Sequence, residues 1–157
     1  RTHQICAELL QHFSHPEDVH RNLFGTYTVE KMTFLSQILG QVEYFLDGRL
    51  AILCVSEKDM LIHDMVPDES RDIIDFLMNI SSLEAAAFFR QDGENQYKLS
   101  LRSKGRIEIL GVAEALGGGG HLHAAGAFVT GDYDGYKKKV LNLLESRIKG
   151  IGLSETA

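Results

Sequence analysis

Apolar residues recur every three or four positions over the first forty residues, and beyond them the period changes to the alternation and unbroken runs of strands. Ile5, Cys6, Leu9, Leu10 and Phe13 share one helical face. Ser14 as N-cap, Pro16 in the first turn and Glu17 three residues after the cap restart a helix, and a third runs from about Thr28 to Leu39, where Gly40 stops it. Val42 to Leu46 and Leu50 to Val55 then flank Asp47-Gly48, which predicts a hairpin with a two-residue turn. The second of these strands is apolar throughout, so both of its faces are expected to be buried. Ser56 to Asp59 can cap a short helix, and Pro67-Asp68 opens a longer one with Ile73, Ile74, Leu77 and Met78 as its core stripe. A second strand pair, Ala85 to Arg90 and Tyr97 to Arg102, turns around Asp92-Gly93-Glu94. Its later strand points Tyr97, Leu99 and Leu101 one way and Lys98, Ser100 and Arg102 the other. A helix near Ile109 to Leu116, a strand from Gly126 to Thr130 and a closing helix from Tyr133 to Lys149, with Val140, Leu141, Leu144 and Ile148 inward, complete the pattern. It predicts an α/β fold, a mixed central sheet of about five strands flanked by helices and preceded by N-terminal helices, with a frayed tail from Gly150.

Between the sixth helical segment and the last strand lies Gly117-Gly118-Gly119-Gly120-His121-Leu122-His123-Ala124-Ala125-Gly126. Glycines carry no Cβ and turn with positive φ, so their backbone N–H groups can approach a phosphate, and a histidine ending the run adds a donor whose charge switches near neutral pH. A flexible linker is the bland alternative, which apolar Leu116 on one side and the small residues Ala124 to Ala127 on the other disfavour. No Gly-Lys-Ser/Thr follows the glycines, which excludes a P-loop, and the spacing lacks the tail of a dinucleotide fingerprint. The run is also compatible with a short helix from His121 to Ala125 whose N-terminus would face the same anion.

The chain of 157 residues is long enough for one domain with its own core. No apolar run approaches the length of a transmembrane helix. The formal charge of −6 conceals an asymmetry: residues 1–89 carry 6 Lys/Arg against 14 Asp/Glu, residues 90–157 carry 10 against 8. The positive part holds the glycine run and Arg90, Lys98, Arg102, Lys104 and Arg106, a basic rim that suits a short anionic ligand better than a long duplex. Solvated strand-edge charges are the competing account, and for Lys98 the two stand level. Cys6 and Cys54 both occupy apolar positions and are expected to be buried thiols in a reducing cytoplasm. His3, His12, His15 and His20 lack metal-ligand spacing, and His63-Asp64 reads as a surface turn.

The Gly-Gly-Gly-Gly-His-x-x-Ala-Ala-Gly motif, preceded by Leu99-Ser100-Leu101-Arg102-Ser103, resembles the C-terminal DHH-associated domain of the DHH phosphoesterase family, whose members include RecJ-like exonucleases, oligoribonuclease/pAp phosphatases and cyclic-dinucleotide phosphodiesterases. The resemblance implies that Arg102, Ser103, Gly117, Gly118, Gly119, Gly120 and His121 bind a nucleotide phosphate. It implies no catalytic or metal-ligating residue in this chain, because the family's Mn(2+) centre belongs to an N-terminal Asp-His-His domain whose motifs are missing here. On this reading residues 1–40 are a helical connector from that N-terminal DHH domain, 41–150 the DHH-associated substrate-binding domain and 151–157 a flexible tail. The implied partners are the DHH domain, a nucleotide or short single-stranded RNA or DNA, and a second copy of the protein, with no membrane. The implied substrates are short oligoribonucleotides, pAp or dinucleotides. Two alternatives stay open: a stand-alone nucleotide-binding or regulatory module without hydrolytic activity, and a metallohydrolase built on His121 and His123.

Overall fold

The computed structural model describes residues 1–12, 15–65 and 72–154, so the expected N-cap at Ser14, Phe13 of the first stripe and the helix start at Pro67-Asp68 lie outside the described residues. Seven helices and six strands are described: α1 (Thr2–Leu10), α2 (Pro16–Phe24), α3 (Val29–Leu39), β1 (Glu43–Phe45), β2 (Leu50–Val55), α4 (Glu57–Ile62), α5 (Asp72–Leu77), β3 (Ala85–Gly93), β4 (Gln96–Ser103), α6 (Leu110–Glu114), β5 (Gly119–His121), β6 (Ala124–Thr130) and α7 (Tyr133–Ser154). The strands form one mixed sheet in the order β1-β2-β3-β4-β6-β5, the α/β architecture that the periodicity predicts with one strand more than the five expected. Among the described strands only the β2–β3 pair is parallel, and the crossover between them carries α4 and α5.

Local chemistry explains most elements. Ser56 and Asp59 form a reciprocal capping box at the start of α4: the Asp59 N–H donates to Ser56 Oγ at 3.1 Å and the Ser56 N–H to Asp59 Oδ2 at 3.1 Å. Thr28 caps α3 by accepting from the Lys31 N–H. The β1–β2 connection is a correction to the expected two-residue turn: Phe45 pairs with Leu50, leaving four residues, Leu46 to Arg49, in the loop. Leu46, Asp47 and Gly48 all take positive φ there, so Asp-Gly supplies the left-handed geometry inside a longer bend. The β3–β4 hairpin turns one residue later than expected, at Glu94-Asn95, after a bulge between Gln91 and Gly93. The closing helix continues past Lys149 to Ser154.

The core has two layers, one on each face of the sheet. On one face α6 and α7 bury Ile52, Phe89, Leu99, Leu101, Val140, Leu144 and their neighbours. On the other, α3, α4 and α5 cover Ala51, Leu53, Val55, Ala86 and Phe88 with Phe34, Ile38, Met60, Ile73 and Leu77. Strand β2 lies between both layers, which is why its whole apolar run is buried except for half-buried Cys54. The three N-terminal helices differ. α3 packs on the sheet through Phe34, Leu35 and Ile38, whereas α1 and α2 bury no residue and leave Ile5, Leu9, Leu10, Leu23 and Phe24 exposed. Cys6, expected in a core, is exposed on α1, because the amphipathic stripe of that helix buries none of its residues.

Candidate functional site

The helices of the second layer lie over β2 and β3, and α5 reaches only the Arg102 end of β4, so among the described residues the same face of the sheet is uncovered over the rest of β4 and over β6 and β5. Strand register decides what stands on it. Arg102 pairs with Ala124, which pairs with His121; Ser100 pairs with Gly126, which pairs with Gly119; Lys98 pairs with Phe128. Directly paired residues point to the same face, so these are three successive rows of one open surface. The first row is basic at both ends, the middle one almost bare of side chains, and the last holds a lysine beside a phenylalanine. Lys98, Ser100, Gly119, Gly126 and Phe128 line, with Gly117 and Gly118, a cleft of about 470 Å³.

The glycine run divides its labour. Gly117 takes φ of +77° and its N–H donates to the Glu114 carbonyl at 3.0 Å, while the Gly118 N–H donates to Ala113 at 2.8 Å. These two bonds close the C-terminus of the α6 turn in a Schellman arrangement, so two of the four amides expected to cradle a phosphate are spent on the helix end. Gly118 and Gly120 are also pressed onto β6: a Cβ on Gly118 would stand 2.1 Å from the Gly126 carbonyl oxygen, and one on Gly120 2.6 Å from the Ala125 Cα. Gly119 alone in β5 faces open space. The short helix considered for His121 to Ala125 is replaced by a hairpin, β5 turning through Leu122-His123 into β6. The small residues at Ala124 to Gly126 let two strands approach, and a helix would forfeit that sheet pairing. As an edge strand, β5 pairs on one side only, which leaves its outward backbone groups available to a ligand.

The turn is pinned from beneath. The Ser103 N–H donates to the His123 carbonyl and the Ile109 N–H to the Leu122 carbonyl, at 3.1 and 2.8 Å. Ser103 Oγ donates to the Ile107 carbonyl at 2.8 Å and lies 3.1 Å from His123 Nδ1, which is itself 3.1 Å from the same carbonyl. Ser103 therefore holds the loop that positions His123, and its hydroxyl is already partnered. Arg102 is about a third exposed; its Nε pairs with Asp75 on α5 at 3.1 Å and its Nη1 donates to the Leu101 carbonyl. His121 is exposed at the sheet edge.

The basic rim proves to be five residues in different situations. Arg90 is buried and grips Asp92 through two bonds of 2.5 and 2.8 Å, Arg106 pairs with Glu84, and Lys104 ties down the carbonyls of Ile80 and Ser81. Lys98 stands 5.8 Å over the Phe128 ring. With Arg102, it gives the open face its positive charge. Cys54, on the opposite face beside Tyr133, has its thiol pushed up to about 11 by burial, which leaves it a poor nucleophile at neutral pH. Among the described residues no group of three His, Cys, Asp or Glu side chains could hold a metal ion. His121 and His123 fall on a strand and on the turn after it, with the Nδ1 of the second engaged. His63-Asp64 closes α4 as a surface turn, His63 Nε2 lying 2.6 Å from Gln37 Oε1. Among the described residues no helix is long and apolar enough to cross a membrane.

Ser100 and Phe128 went unmarked as site residues in the sequence, although the signal existed: once Ala127 and Val129 are assigned inward, alternation forces Phe128 outward. A family model described as the DHHA1 domain matches residues 49–150. The chain is 28% identical over 119 residues to the bifunctional oligoribonuclease and PAP phosphatase NrnA of Thermus thermophilus, covering 75% of this chain and 35% of that protein. It is 32% identical over 78 residues to the NrnA of Mycoplasma genitalium, covering 50% of this chain and 23% of that protein. The chain thus spans about a third or less of the length of these curated relatives. An exopolyphosphatase-related protein from Bacteroides fragilis has the same fold, with a TM-score of 0.84 at 24% identity over 96% of this chain and 44% of that one. A pGpG-specific phosphodiesterase from Vibrio matches with a TM-score of 0.57 at 16% identity over 75% of this chain and 40% of that one. A family match over well more than half of the residues, on a glycine-rich hairpin and a sheet face built as described, establishes that this chain belongs to the DHHA1 domain family.

Proposed function

We propose that this chain is the substrate-holding part of a DHH-family phosphoesterase that acts in the cytoplasm on short oligoribonucleotides, pAp or dinucleotides. The observation that carries the proposal is the row Arg102, Ala124, His121 on an uncovered sheet face, beside a glycine strand with an unpaired outer edge. In this reading a nucleotide phosphate remote from the scissile bond exchanges Asp75 for itself as the partner of the Arg102 guanidinium, and His121 adds a second donor. Backbone amides come from the outward-pointing groups of β5, since those of Gly117 and Gly118 close α6. Gly117, Gly118 and Ser103 act by shaping the hairpin. Fixing the remote phosphate holds the scissile one in register with the reacting groups of another lobe, which converts distant binding energy into rate.

The names of the NrnA relatives support this substrate class. Mn(2+) would reside in the N-terminal DHH domain, to which residues 1–40 would lead; the exposed stripes of α1 and α2 support a covering surface there, and a homodimer could supply part of it. The test is Arg102→Ala and His121→Ala in the full-length protein. Each is expected to lower turnover of pAp and short RNA at least tenfold, with bound metal and unfolding midpoint unchanged. Equal loss of metal in these variants would sink the division of labour.

A further inference from the structure

We infer that Phe128 and Lys98 form a second nucleotide subsite on the open face, in which a nucleobase stacks on the Phe128 ring while Lys98 meets the adjoining phosphate. The inference deepens the proposed function and rests on it for the position of the first phosphate.

Phe128 is 75% exposed in the middle of a strand whose neighbours Ala127 and Val129 are buried. An apolar ring presented to water on a sheet face is otherwise unexplained, since among the described residues no helix covers this part of the sheet. Three features select a nucleotide as occupant. First, Lys98 stands 5.8 Å over the ring as its cross-strand partner, placing a cation and a π-face side by side, the pairing that a base joined to a phosphate complements. Second, the middle row between this pair and Arg102 consists of Ser100, Gly126 and Gly119, a floor low enough for a sugar-phosphate chain to lie on. Third, the cationic side chains on the three rows, Lys98 and Arg102, have the sign that an anionic strand needs.

The spacing then dictates which nucleotide is held. Ala124 and Phe128 are four residues apart on β6, about 13 Å along the strand. That exceeds a single phosphate-to-phosphate step, so a mononucleotide anchored at Arg102 and His121 leaves Phe128 untouched, and only a ligand with a second nucleotide reaches it. Phe128 and Lys98 would therefore set the preference of this domain for oligonucleotides over mononucleotides.

Calorimetric titration of the full-length protein with pA and with pApA tests this. Phe128→Ala is expected to weaken pApA about tenfold, leave pA unchanged and leave the unfolding midpoint in place, and Phe128→Tyr is expected to restore pApA binding. Unchanged pApA affinity in Phe128→Ala, an equal loss of both ligands, or a change in oligomeric state in place of the pApA effect would each overturn the subsite. Arg102→Ala separates the two readings: it should weaken pA and pApA alike. If Arg102→Ala weakens neither while Phe128→Ala still selects against pApA, the phosphate anchor fails and the stacking subsite stands. If Arg102→Ala weakens both and Phe128→Ala weakens neither, the reverse holds. A wild-type protein that does not bind pApA overturns both.

Discussion

Phe88 and Phe128 stand on the same face of the same sheet, yet one is 3% exposed and the other 75%. The difference is coverage. Over β2 and β3 the crossover helices α4 and α5, together with α3, lay an apolar layer on the sheet; past the Arg102 end of β4, which α5 reaches, none of the described elements returns over β4, β6 and β5. A parallel pair needs a crossover, and its helices must pack on the sheet, whereas antiparallel neighbours joined by hairpins need none. The open half follows because β3–β4 and β5–β6 are hairpins, while the connection from β4 to β5 carries α6, which packs on the opposite face. What a closed layer would have hidden is available to a ligand.

The largest expected break in this comparison is between the two phenylalanines. Phe88→Ala should cost about 3–5 kcal/mol of stability through the cavity it leaves under α4 and α5, while Phe128→Ala should stay within about 0.5 kcal/mol. Urea denaturation of both variants measures the contrast, and equal losses would mean that the open half is covered in solution. The glycine run offers the next contrast. Gly118→Ala forces a methyl group against β6 backbone and should cost about 1–3 kcal/mol, whereas Gly119→Ala meets nothing within 4 Å and should fold normally while weakening nucleotide binding. Thermal unfolding and calorimetry of the pair separate packing glycine from ligand-facing glycine.

A smaller effect probes the covering layer itself. Ser56→Ala removes half of the capping box that starts α4 and should lower stability by about 1 kcal/mol, with nucleotide affinity untouched. Smallest is the Arg102 and Asp75 pair, whose exposure limits it to about 0–1 kcal/mol. Asp75→Asn should leave the unfolding midpoint nearly in place and tighten binding of an anionic ligand, because the guanidinium no longer has a carboxylate to give up. Weaker binding in that variant would show Asp75 to be an orienting partner of Arg102.

Several elements were legible from residues near one another. The β2 run announced burial on both faces, Ser56 with Asp59 announced a cap, and alternation in β4 sorted Leu99 from Ser100. The glycine-histidine motif named the family that the match over residues 49–150 establishes. What escaped was non-local. A stripe such as that of α1 states which side is apolar and nothing about whether a surface lies against it, so Cys6 was expected in a core and is exposed. The segment from His121 to Ala125 suited a short helix or a strand on local grounds, and pairing with β4 and within the hairpin decided for strand.

The sequence by itself determined the elements, their caps and the family, because periodicity, turn residues and motifs act over a few neighbouring positions. Only the tertiary structure decided that β6 lies between β4 and β5, that two of the glycine amides are committed to α6, and that Phe128 joins Arg102 and His121 on an uncovered face. Those outcomes depend on which strands pair and which helices reach across them, a competition among distant segments that no local pattern records.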